Sequence, residues 1–78
     1  MDTITYRACI DPTQIGFLNS IIESYEGIAV VRTLHAPVGI IELWTPVEFA
    51  CLVADLLQAL AAEIGLKYFY PATQRLSL

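Results

Sequence analysis

From Thr3 to Ile10, apolar and polar positions alternate along the chain. Ile4, Tyr6, Ala8 and Ile10 fall on one side, and Thr3, Thr5, Arg7 and Cys9 on the other. A period of two with β-branched residues predicts a strand with two unlike faces. At Pro12 the period lengthens. Ile15, Leu18, Ile21, Ile22 and Tyr25 recur at three and four residues, with Thr13, Ser20, Glu23 and Ser24 filling the other side. This predicts an amphipathic helix that ends at Glu26-Gly27. Ile28 to Leu34 and Ile40 to Trp44 are strand-like, and the five residues from His35 to Gly39 between them suit a hairpin loop. A second helix is predicted from Pro46 to about Ile64, stopped by Gly65. A last short strand runs from Lys67 to Tyr70 and ends at Pro71.

Both helix starts carry the same signature. Asp11-Pro12-Thr13-Gln14 and Thr45-Pro46-Val47-Glu48 each read as a capping residue, a proline, any residue, then Gln or Glu. A side-chain oxygen at the cap accepts from an orphan N–H, and proline sits where its missing donor costs nothing. The resulting order, β-α-β-β-α-β, is the split-βαβ or ferredoxin-like α+β arrangement. Right-handed crossovers then set a four-stranded antiparallel sheet of order 4-1-3-2 with both helices on one face. Residues 1–72 form one domain in this reading, and residues 73–78 a loose C-terminal tail.

A hairpin centred on Pro37 places Arg32 opposite Glu42, Thr33 opposite Ile41 and Val31 opposite Leu43. A slip of one residue would move the apolar set to the other face. Ala29, Val31, Thr33, Ile41 and Leu43 then share the helix-facing side, packing on Leu18, Ile22, Leu56 and Leu60. Ile28, Val30, Arg32, Leu34, Ile40, Glu42 and Trp44 share the open side. That side carries several large apolar groups that the two helices do not cover, so it is expected to be an interface or a ligand platform. A few exposed apolar residues on an ordinary antiparallel sheet, with Trp44 at its margin, is the plainer alternative.

Composition sharpens this picture. The chain has 78 residues, 56% of them hydrophobic and only 15% charged, against roughly 25% charged in an average domain. So small a domain has much surface to cover, and the shortage points to a homodimer or larger homo-oligomer. Several alanines in the second helix account for part of the apolar count. The net charge of −4 and four scattered cations, Arg7, Arg32, Lys67 and Arg75, argue against nucleic acid. They also argue against an anionic membrane surface. The absence of a signal segment or spanning run makes the cytoplasm the expected location.

Candidate chemistry is sparse. Cys9 and Cys51 show no metal-ligand spacing, and a bridge between them would have to cross the sheet. Cys51 is expected near the surface and Cys9 on the first strand. His35 is the sole histidine, in the hairpin loop, with no acid or second ligand near it in sequence. Glu23 and Glu26 read as solvated charges, and Cys9 beside Arg7 as an inert strand thiol. Arg32 and Glu42 read either as a cross-strand ion pair or, joined by Arg7, as a small carboxylate-binding site. Gly16 and Gly27 stand alone, so no phosphate-cradling loop is present. Tyr68-Phe69-Tyr70 alternates across the last strand and reads mainly as packing. No catalytic set, metal site or cofactor motif emerges.

The stretch from Ser24 to Leu34, Ser-Tyr-Glu-Gly-Ile-Ala-Val-Val-Arg-Thr-Leu, followed by Glu42-Leu43-Trp44, resembles a family of short uncharacterised bacterial proteins. That family is a domain of unknown function of about this length, which implies a bacterial cytosolic protein and no particular activity. More loosely, the element order is similar to ACT regulatory domains, which bind amino acids at dimer interfaces. Those domains usually place glycine directly after the Asp-Pro that follows strand one, whereas Thr13 follows Asp11-Pro12 here and glycine comes at Gly16.

The expected function is therefore a non-catalytic oligomeric binding or assembly module. Its face comprises Val30, Leu34, Ile40 and Trp44, with Arg7, Arg32 and Glu42 setting register or polarity. The ACT resemblance implies a regulatory domain binding a small metabolite near Asp11, Pro12 and Gly16. A dimeric α+β-barrel enzyme, with Arg7, Cys9 and Glu42 as its only polar candidates, is the third reading.

Overall fold

The computed structural model describes residues 3–72, and the tail expected at 73–78 lies outside them. The chain runs β1 (Thr3–Cys9), α1 (Ile15–Glu23), β2 (Val30–His35), β3 (Ile40–Pro46), α2 (Ala50–Ala59), α3 (Ala61–Ile64) and β4 (Tyr68–Pro71). The strands form one antiparallel sheet in the order β2-β3-β1-β4, which is the expected 4-1-3-2.

The core lies between one face of this sheet and the helices. Ala8, Ile41 and Leu43 from the strands meet Leu18 and Ile22 of α1, Val53 and Leu57 of α2, and Ile64 of α3. All of these are at most 1% exposed. Leu57, not Leu56 or Leu60, is the leucine of α2 that is buried outright, while Leu56 and Leu60 pack at the margin of the core.

The two helix starts diverge. Asp11 caps as expected: its Oδ1 accepts from the Thr13 N–H at 2.9 Å and the Thr13 hydroxyl at 2.8 Å. A single 3-10 turn over Pro12–Gln14 then leads into α1. Thr45 does not cap. It stays in β3, fully buried, and its hydroxyl donates to the Ile28 carbonyl at 2.6 Å. A 3-10 turn over Val47–Phe49 opens the second helical segment with no side-chain cap. That segment also breaks at Leu60, so the long helix expected to Ile64 is two shorter ones.

The glycines stop the chain's helical course as expected, though only one of them stands directly at a helix end. Gly65 caps α3 in the left-handed conformation (φ 63°). The first helix closes at Glu23, ahead of Glu26-Gly27. There the Ser24 hydroxyl donates to the Ile21 carbonyl at 2.6 Å, and Gly27 (φ 80°) turns the chain afterwards. Tyr25 consequently lies beyond the helix and is exposed instead of joining the apolar stripe.

The hairpin keeps the register expected from Pro37: Val31 faces Leu43, Arg32 faces Glu42 and Thr33 faces Ile41. Beyond Thr33 a bulge intervenes, and His35 pairs with Ile40. Leu34 is thereby left out of the ladder. Ile28 also departs from expectation. It precedes β2, where strand alternation does not apply, and it is buried in the core instead of lying on the open face.

Candidate functional site

On the face away from the helices, cross-strand pairing sets the side chains in rows. One row runs Tyr70, Arg7, Glu42, Arg32 across all four strands. Beside it lie Tyr68, Cys9, Ile40 and His35 on one side, and Thr5, Trp44 and Val30 on the other. The register thus brings Arg7, Val30, Arg32, Ile40, Glu42 and Trp44 onto one face. Leu34, at the bulge, is exposed at its border.

Glu42 is the hub of the central row. Its Oε2 accepts from Arg7 Nη2 at 2.7 Å, and its Oε1 accepts from the Trp44 indole N–H at 3.0 Å. The bond from Arg7, then that from Trp44, hold its carboxyl below the usual glutamate range, with the charges of Arg7 and Arg32 adding to this. The same bond to Glu42 raises the pKa of Arg7, which stays charged throughout. The expected Arg32–Glu42 ion pair does not form. Arg32 instead lies over the Trp44 ring, its guanidinium carbon 5.4 Å from the centroid, in a cation–π contact.

Aromatic groups widen the platform. Tyr68 and Tyr70 stack with ring centroids 5.8 Å apart, and both are exposed, while Phe69 packs on Tyr6 across the sheet at 4.7 Å. The alternation in Tyr68-Phe69-Tyr70 puts the two tyrosines on one side and Phe69 on the other, and the pairing of Arg7 with Tyr70 makes the tyrosines' side the open one. Val30 is the most exposed large apolar residue of the face at 61%, and Trp44 is 39% exposed.

The Asp11 turn lies at the far end of β1. Asp11 Oδ1 is engaged by Thr13, its N–H donates to the Ile64 carbonyl at 2.9 Å, and its carboxyl is held low by those Thr13 bonds. Pro12 begins the 3-10 turn. A side chain at Gly16 would meet nothing within 4 Å. Cys9 is buried, its thiol directed to the Val38 carbonyl at 3.5 Å, and Cys51 is exposed, as expected. Among the described residues no three His, Cys, Asp or Glu side chains gather as a metal site. No helix among them is long and apolar enough to cross a membrane.

Fold and face define a split-βαβ domain with an exposed aromatic and arginine-bearing sheet. Over residues 9–64 the chain matches the family described as Domain of unknown function (DUF4911), and it belongs to that family. No curated protein and no solved structure matches it. Arg32, Glu42 and Trp44 fall inside the matched span, and Arg7, Tyr68 and Tyr70 outside it.

Proposed function

We propose that the chain is a non-catalytic module that assembles with further copies of itself through the open sheet face. The observation that supports this is the concentration of Val30, Ile40, Trp44, Tyr68 and Tyr70 around a charged row whose one acid is already bonded on both oxygens. Four strands of four to seven residues, spaced about 4.8 Å apart, make a platform roughly 19 Å wide and at most about 23 Å long. Before side-chain relief is added, that plane covers at most about half of the ~800 Å² each partner buries in a stable complex. Burial of the apolar groups contributes about 25 cal/mol per Å². The two free cysteines accord with a reducing compartment, and we place the module in the cytoplasm.

Native mass spectrometry of the wild type and of Trp44→Asp tests this reading. The wild type is expected as a dimer or larger assembly, and the variant as smaller particles. A wild-type monomer, or a variant of unchanged mass, would overturn it.

A further inference from the structure

A pocket of about 290 Å³ opens at one corner of the sheet, where β2 begins and β3 ends. Val30 and Trp44, paired across the strands, line it together with Ala29, Pro46 and Thr3. Thr45 also borders it, but its hydroxyl is committed to the Ile28 carbonyl. The lining is thus largely apolar. Its volume lies at the small end of the range of ligand sites, roughly 300–1,000 Å³, so an occupant would be small.

The charge next to two of the pocket's lining residues, Val30 and Trp44, is unbalanced. Arg32 follows Val30 by two residues on β2, so both stand on the same side of the strand. Its guanidinium rests on the Trp44 ring, which lines the pocket. The acid opposite it, Glu42, has one oxygen on Arg7 and the other on the Trp44 indole. Among the described residues, Arg32 forms no ion pair. A planar donor fork over an aromatic ring that lines an apolar pocket suits a carboxylate attached to an apolar body.

We infer that this corner binds a small monocarboxylate, its apolar part in the pocket and its carboxylate on Arg32. The site is complete within one chain, and because Val30 and Trp44 also lie on the face proposed to associate, acid binding and self-association compete. The site lies at the opposite end of β1 from the Asp11–Gly16 turn, about 26 Å away along an extended strand.

Trp44 is the sole tryptophan, so its emission reports on the pocket directly. The full chain is titrated with isocaproate and with isocaproamide, and the Trp44 indole N–H resonance is followed in parallel. A saturable change with the acid is expected, about tenfold weaker with the amide and with Arg32→Gln. No saturable change up to about 50 mM would overturn the inference. Equal binding of acid and amide, or unaltered acid binding by Arg32→Gln, would do the same. Particle mass is measured on the same samples. A chain that stays monomeric at every concentration and binds the acid removes only the assembly reading, and a chain diluted from an assembly to monomer that still does not bind it removes only this one.

Discussion

Glu42 faces Arg32 across the hairpin, yet its carboxylate closes on Arg7 of β1 at 2.7 Å. Both arginines neighbour it in the ladder, since Glu42 pairs with Arg7 on one side and Arg32 on the other. The Trp44 indole takes the second carboxylate oxygen, and Arg32 settles on the Trp44 ring instead. One acid therefore fixes the positions of an arginine and a tryptophan, and through the tryptophan a second arginine.

Acid titration tests that arrangement. The folded state holds the Glu42 carboxyl below its ordinary value, so this stabilisation is present above the unfolded value of about 4.3 and is lost as pH falls through the folded value. Asp11, lowered by its bonds from Thr13, acts with the same sign. The urea midpoint of the wild type should fall at acid pH, and Glu42→Gln should show a lower midpoint at neutral pH with a shallower decline. Parallel curves for the two proteins would contradict this.

Two glycines should respond in opposite directions. A Cβ at Gly39, where φ is 89°, would overlap the Ile10 carbonyl oxygen, a backbone atom that cannot move aside cheaply. Gly39→Ala should cost about 3 kcal/mol or more. Gly16, inside α1 with open space around it, should gain about 0.5–1 kcal/mol on replacement by alanine. Urea unfolding of both variants measures the contrast.

How much of this was legible depended on how local the determinant is. The hairpin register followed from Pro37 and the charges of Arg32 and Glu42, because two strands joined by a short loop have few alternatives. Strand order followed from connection handedness. The choice of Arg7 over Arg32 did not, because both flank Glu42 and side-chain packing decides between them. Ile28 and Leu34 escaped because alternation holds only inside an unbroken ladder, and one precedes β2 while the other sits at its bulge. The pocket was equally hidden, since it joins the chain before β2 to the end of β3 and the start of β1.

Thr45 shows how one motif can serve two ends. Its hydroxyl is buried on the Ile28 carbonyl, tying the entry to β2 against β3. Thr45→Val keeps the shape but leaves that carbonyl without its donor, and should cost about 1–3 kcal/mol. Thr45→Ser keeps the hydroxyl and should lose less than the valine variant in thermal melts. A valine variant as stable as the wild type would remove this role.

The two thiols should separate by rate. Cys51 is exposed on α2, while Cys9 is 4% exposed with its thiol on the Val38 carbonyl. Iodoacetamide should modify one thiol of the native chain promptly and the second only as the chain opens. Cys51→Ser should leave the slow phase alone. Equal rates for both thiols would show that Cys9 is reached without unfolding.

Trp44 also reports on assembly, being the only tryptophan and exposed on the face proposed to associate. Contact with a second copy would place its indole in apolar surroundings, so dilution should move its emission to longer wavelength as the measured mass falls. Val30, at 61% exposure, pairs with it across the strands and should lie in the same contact. Val30→Lys would set a charge there and raise the concentration at the transition midpoint by about tenfold or more. Emission that stays constant while the mass changes would place the contact elsewhere on the chain, away from the sheet.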